Sequence, residues 1–233
     1  MNGAVNGARA LPPLPPSGLV FDLDGTLIDS VPDLHAAVVA MLAGLGRAPL
    51  DRATVQSFIG NGVARLVARA LAATGGADAA LEAEGLAAFR AAYDAAPADR
   101  TRPYPGVEAL LARACAAGVP LAVCTNKPEA PARVILDRLG LAPRFAAVIG
   151  GDTLAVLKPD PRPLEAALAA IGAAPGRAVY VGDSETDEAT AHAAGVAFAL
   201  FTGGYRKKPV EAFAAACAFD RFDALALRLG LAP

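Results

Sequence analysis

The chain has 233 residues, 55% hydrophobic and 19% charged, which suits a globular protein of one large or two small domains. A net charge of −2 leaves no electrostatic footprint for DNA or RNA, and three scattered cysteines (Cys115, Cys124, Cys217) offer neither a disulfide framework nor metal-ligand spacing. The longest run free of charged or strongly polar residues, 36–46, is too short to span a bilayer, so a cytoplasmic protein with no membrane or nucleic-acid partner is expected.

Residues 1–17 close on Leu11-Pro12-Pro13-Leu14-Pro15-Pro16, where prolines remove backbone donors and fix φ. The segment reads as a disordered Pro-rich tail, and lacking an apolar block it is not a signal peptide. Leu19-Val20-Phe21 is a short apolar run that ends in acids and a Gly-Thr turn, the pattern of a buried parallel strand. From residue 31 to 96 no β-branched run occurs. That stretch reads as helices over 32–45, over 51–73 with a break at 60–62, and over 77–96, with Asp51 and Asp78 as N-caps.

Beyond Pro103-Tyr104-Pro105-Gly106, apolar runs at 119–124, 146–149, 178–181 and 196–200 alternate with helical stretches at 107–117, 130–140, 161–172 and 187–195. A final run at 217–222 reads as an edge strand before a C-terminal helix. Strand–helix alternation predicts an α/β fold, a doubly wound parallel sheet, with an all-α domain inserted after its first strand. The predicted bounds are 18–30 and 103–233 for the core and 31–102 for the insertion.

Four polar clusters fall at the C-terminal ends of predicted strands, where open α/β sheets place their ligands. In Asp22-Leu23-Asp24-Gly25-Thr26 the acids are two apart and share a side of the strand, so they repel unless a cation holds them. A divalent cation with hard oxygen ligands suits them; a solvated acidic turn is the plain alternative. Thr125-Asn126-Lys127 offers a hydroxyl and backbone N–H groups for an anion, or else a helix cap. Lys158-Pro159 presents a stiffened lysine, though a loop lysine is usually solvated. Asp183 and Asp187, within Gly182-Asp183-Ser184-Glu185-Thr186-Asp187, suit either a second cation-binding pair or a helix start rich in acids. Their order and placement together describe a site for Mg²⁺ and a phosphate.

The motifs Asp-Leu-Asp-Gly-Thr-Leu (22–27), Thr-Asn (125–126), Lys-Pro (158–159) and Gly-Asp-Ser-x-x-Asp (182–187) resemble, in order, the four motifs of the haloacid-dehalogenase superfamily. Further stretches resemble its phosphoglycolate phosphatase branch: Asp29-Ser30-x-Pro32-Asp33-Leu34, Phe58-Ile59-Gly60-Asn61-Gly62, Tyr104-Pro105-Gly106-Val107, Thr125-Asn126-Lys127-Pro128 and Gly203-Gly204-Tyr205. The resemblance implies a Rossmann-like core, a four-helix-type cap for the insertion, and Mg²⁺-dependent hydrolysis of a small phosphorylated metabolite such as 2-phosphoglycolate, by a monomer or homodimer. It also assigns roles. Asp22 is the nucleophile and Asp24 the acid–base. Thr125 and the Asn126 backbone hold the phosphoryl oxygens, and Lys158 offsets their charge. Asp22, the Asp24 carbonyl and Asp183 bind Mg²⁺, and Asp187 orients the metal's waters. In the cap, Asn61, Gly62 and Arg65 are candidate substrate contacts. Glu185, His35 and His192 receive no role, and Lys127 is expected at the surface. A phosphosugar mutase or a catalytically retired phosphate-binding relative is the alternative, whereas a haloalkanoate dehalogenase lacks the acid found here at Asp24.

Overall fold

In a computed structural model that describes residues 9–231, the strands are β1 (Gly18–Phe21), β2 (Ile28–Asp29), β3 (Arg102–Pro103), β4 (Leu121–Cys124), β5 (Ala147–Ile149), β6 (Ala178–Gly182), β7 (Ala197–Phe201) and β8 (Cys217–Phe219). Six of them form one parallel sheet in the order β5-β4-β1-β6-β7-β8. β1 lies at its centre, with Leu19 opposite Leu121 on one side and Val179 on the other. Every residue of β1, β4, β6 and β7 is buried, which is why these strands read as unbroken apolar runs rather than alternating ones.

The helices are α1 (Val31–Gly44), α2 (Arg52–Phe58), α3 (Val63–Ala73), α4 (Ala79–Ala95), α5 (Val107–Ala116), α6 (Glu129–Arg138), α7 (Arg162–Ala170), α8 (Glu185–Ala193) and α9 (Phe222–Arg228). On one face of the sheet Leu19, Phe21, Val123 and Val181 pack with Leu110 and Leu111 of α5, Ile135 of α6 and Phe222 of α9. On the other, Val20, Ala122 and Tyr180 pack with Leu164 and Leu168 of α7 and Ala191 of α8. Helices on both faces make the sheet doubly wound, as predicted.

The insertion after β1 comprises α1–α4, and its buried Met41, Leu42, Leu71 and Phe89 belong to the same continuous hydrophobic cluster as Leu19 and Phe21 of the sheet. Asp51 and Asp78 cap α2 and α4 by accepting from the N–H groups of Thr54 and Leu81. The break between α2 and α3 is built on Gly60 and Gly62, whose φ values of 113° and 84° favour glycine.

One feature lies outside the predicted elements. Where the chain leaves and re-enters the core, β2 and β3 pair antiparallel, Ile28 with Pro103 and Asp29 with Arg102. Just above, the buried Asp33 carboxylate accepts from the N–H groups of Arg100 and Thr101 and from the Thr101 hydroxyl. The neck is thus a closed ribbon rather than two separate linkers.

The tail expectation divides. Residues 1–8 lie outside the described part. Residues 9–17 form neither helix nor strand, as their prolines dictate, yet Pro12 and Pro16 are buried and the Ser17 N–H donates to the Arg177 carbonyl at 2.7 Å. This stretch lies against the core, where Leu11 packs on its hydrophobic cluster. Among the described residues no helix is long and apolar enough to cross a membrane.

Candidate active site

The ends of β1, β4 and β6 and the loop before α7 bring Asp22, Asp24, Thr125, Asn126, Lys158, Asp183 and Asp187 to one side of the sheet, six of them buried and Asp24 half-buried. Asp22 follows β1 directly. Its N–H extends the ladder to the Val181 carbonyl, and its Oδ1 accepts from the Leu23 N–H at 2.7 Å.

Lys158 is the electrostatic centre. Its Nζ lies 2.6 Å from Asp187 Oδ1, 3.1 Å from Asp22 Oδ1 and 2.8 Å from the Tyr180 hydroxyl. Burial works against its charge, but the Asp187 and Asp22 carboxylates hold its pKa well above the usual lysine value. Asn126 fixes the lysine's backbone from both sides: its Oδ1 accepts from the Lys158 N–H at 2.9 Å and its Nδ2 donates to the Lys158 carbonyl at 3.1 Å. That Nδ2 also lies 3.2 Å from the Gly60 carbonyl of the insertion.

Asp187 is both cap and site member. With Ser184 it forms a capping box at the start of α8. Its Oδ2 accepts from the N–H groups of Asp183 and Ser184 and from the Ser184 hydroxyl, while Oδ1 accepts from Lys158 and Tyr180. Burial opposes its ionised form, yet Lys158 and these donors draw its pKa below the ordinary value.

A divalent cation fits here. Carboxylate oxygens of Asp22, Asp183 and Asp187 lie within 4.8 Å of one another, all buried. Lys158 pairs with Asp22 and Asp187, but Asp183 receives only neutral donors among the described residues, the Thr26 hydroxyl and the Tyr205 N–H, both at 2.6 Å. Burial, with Asp187 and Asp22 nearby, raises the Asp183 pKa well above normal, and burial lifts Asp22 to about 7 against the pull of Lys158. Two buried carboxylates short of positive charge are the donor set a hard cation takes. Asp187, with both oxygens engaged, braces the set. A Cβ at Gly204 would collide with the Asp183 carboxylate and the Gly25 carbonyl, so the backbone itself cradles this corner.

Lys127 corrects the sequence reading. It is 6% exposed, and its Nζ lies 3.1 and 3.3 Å from the two carboxylate oxygens of Asp24. Burial opposes its charge, but Asp24 more than compensates and raises its pKa. The Asp24 carboxylate therefore turns to Lys127 rather than into the acidic cluster. The only advance signal was its position directly after Thr125-Asn126. Glu185 also acquires a structural role, accepting from the N–H groups of Lys207 and Lys208.

The insertion's edge closes over these groups. Gly60 and Gly62 line the pocket holding Asp22, Asp24, Thr125 and Lys127. Asn61 is engaged in bracing: its Oδ1 accepts from Arg69 at 2.9 Å, and its Nδ2 reaches Thr186 Oγ1 at 3.5 Å. Arg65 is exposed and lines an adjoining cleft of about 810 Å³ between insertion and core. His35 meets the Leu50 carbonyl and His192 the Ala214 carbonyl, in neither case in the pocket.

Comparison with known proteins converges on one family. Residues 16–195 match the sequence profile described as haloacid dehalogenase-like hydrolase. A phosphoglycolate phosphatase of Cereibacter sphaeroides is 52% identical over 195 residues, 83% of this chain and 88% of its own. One from Rhodospirillum rubrum is 47% identical over 220 residues, covering 92% and 91%. A crystal structure described as a predicted phosphoglycolate phosphatase from Haemophilus somnus superposes with a TM-score of 0.85 at 31% identity, covering 91% of this chain and 97% of that one.

Proposed function

The chain belongs to the haloacid dehalogenase-like hydrolase family and is a phosphatase, and from that premise we propose that it converts 2-phosphoglycolate to glycolate and phosphate through an aspartyl-phosphate on Asp22. The observation that carries the reading is the Asp22 carboxylate at the pocket floor, 3.1 Å from Lys158 and clustered with Asp183.

Asp22 attacks phosphorus, forming the acyl-phosphate bond as the bond to the leaving oxygen breaks. Asp24 gives that oxygen its proton, then takes one from the water that cleaves the acyl-phosphate, releasing phosphate and regenerating Asp22. Lys127 holds Asp24 in place for both transfers. Thr125 and backbone N–H groups at Asn126 and beyond receive the phosphoryl oxygens, while the Asn126 side chain fixes Lys158. Lys158 lets a carboxylate approach a phosphate dianion. Asp22, Asp183 and the Asp24 carbonyl are the residues that would hold Mg²⁺, whose charge would favour the ionised nucleophile and screen the phosphate. Asp187 keeps Lys158 and the Asp183 backbone aligned. Asn61 and Gly62 seat the cap edge, and Arg65 faces the substrate from the cleft. Its three cysteines are all free, which suits a reducing cytoplasm.

Phosphate release from a panel of phosphomonoesters, with and without Mg²⁺, tests the proposal. 2-Phosphoglycolate should give the highest kcat/KM, EDTA should abolish turnover, and Asp22→Asn should lower kcat by at least about a thousandfold. Turnover by Asp22→Asn within a few fold of the parent would remove Asp22 as nucleophile.

A further inference from the structure

One polar group of the cap borders the site without a use in the chemistry above. Tyr93 stands near the C-terminal end of α4, where its ring stacks on Phe89 with centroids 5.8 Å apart and planes 10° from parallel. Lys127 Nζ lies 4.8 Å from the centre of the same ring. The residue is 6% exposed, yet its hydroxyl has no hydrogen-bond partner among the described residues. Ser17, Ser30 and Arg206 also carry an unpaired buried polar atom, but Tyr93 is the one whose residue lines the cleft between cap and core, together with Lys127, Asn61 and Arg65. A buried donor left unpaired is unfavourable, and its retention on a rigid stack needs an explanation.

The neighbours supply one. Lys127 Nζ is 3.1 Å from Asp24, the group assigned to protonate the leaving oxygen, so the substituent on that oxygen's carbon comes to rest beside Lys127 and Tyr93. The phenol hydroxyl and the ammonium both donate, and once Asp24 carries the proton it is to give the leaving oxygen, the ammonium is left as the charge facing the substituent, which matches a carboxylate rather than an alkyl or cationic group. We propose that the Tyr93 hydroxyl and Lys127 Nζ together receive the substrate's carboxylate, so that Tyr93 is a specificity-determining residue selecting phosphomonoesters with a carboxylate one carbon from the ester oxygen. The inference rests on the phosphatase reading above and on Asp24 as the proton donor.

Tyr93→Phe keeps the stack on Phe89 and removes only the hydroxyl. Phosphate release is measured for the parent and for Tyr93→Phe on 2-phosphoglycolate and on ethyl phosphate, which replaces the carboxylate by a methyl group. The ratio of kcat/KM for 2-phosphoglycolate over ethyl phosphate should fall about tenfold to a hundredfold in the variant, the loss expected for one hydrogen bond to a charged group. Most of the change should appear in KM, with the unfolding midpoint showing that the variant is folded. A ratio equal in parent and variant overturns the role of Tyr93 while leaving the phosphatase reading intact. A parent enzyme that releases phosphate from neither ester, or prefers ethyl phosphate, overturns the substrate reading and the Tyr93 assignment with it.

Discussion

At Asp22 and Asp183, the acidity of single groups ties catalysis to stability. Asp22 moves from the ordinary carboxyl value of 3.8 to about 7, first because it is buried, with Lys158 pulling the other way. Its folded pKa is the raised one, so its contribution to stability is complete below the unfolded value and is lost as pH rises through about 7. Asp183 shifts in the same direction, also through burial. Asp187 runs opposite: burial resists its charge, but Lys158 prevails, so its contribution is lost only as pH falls into the acid range. Between about pH 5.5 and pH 8 Asp22 titrates and Asp187 does not, and the metal-free protein should therefore lose thermal stability over that window. A divalent cation binds the ionised carboxylates, so the rise in Tm on adding Mg²⁺ should be larger at about pH 8 than at about pH 5.5, by more than about 3 °C. Calorimetry on EDTA-treated protein, with and without Mg²⁺, checks this; a Tm gain equal at both pH values would show that the cation does not meet titrating carboxylates.

The neck is the element whose importance outruns its size. Strands of two residues carry too little pattern to be read in advance, and Asp33 looks like an ordinary acid in the first turn of α1. In the fold it joins the start of the cap to the chain returning from it, accepting from Thr101 N at 2.8 Å and Thr101 Oγ1 at 2.6 Å as well as from Arg100 N. Asp33→Ala strips buried donors of their acceptor and should cost about 2–4 kcal/mol, seen as a lower urea midpoint, with Asp33→Asn intermediate because its amide oxygen still accepts. Equal midpoints for Asp33→Ala and the parent would mean the neck is held by the ribbon alone. Longer elements were legible for physical reasons. Parallel strands covered on both faces appear as apolar runs, and the α2–α3 break shows because only glycine accepts the backbone at Gly60 and Gly62 with ease. Lys127 was not legible, since no local pattern distinguishes a lysine paired with Asp24 from a solvated one; the two lie 103 residues apart and meet only when β1 and β4 pair.

Across the whole molecule, strand ends gather the chemistry because a parallel sheet with β1 at its centre must bring the segments after β1, β4 and β6 together. That part of the site follows from the order of motifs along the chain. The seam between cap and core does not, because it depends on how segments far apart in the chain meet. Several contacts build it. Gly60 is held through the Asn126 side chain, Asn61 reaches Thr186 at 3.5 Å, Arg138 of α6 donates to the Pro97 carbonyl at 2.5 Å, and Tyr93 covers Lys127. The Asn61–Thr186 contact spans 125 residues of sequence and touches the start of α8, directly beside Asp183 and Ser184. With the seam closed, Asp22 is 8% exposed, which would shield the proposed acyl-phosphate from bulk water but also obstruct the path of substrate and product. The prediction is that turnover parts the seam at the Asn61 edge while the neck ribbon holds the cap in register. Asn61→Cys combined with Thr186→Cys places two thiols across that edge, which a short bis-methanethiosulfonate can bridge through two reducible disulfides. Cross-linking of the double variant, verified by mass, should lower kcat for an aryl phosphate at least about tenfold, and dithiothreitol should restore it. The reduced double variant is its own control. Undiminished turnover by the cross-linked protein would mean that substrate enters and product leaves through the open cleft beside Arg65, with the cap edge at rest throughout the cycle.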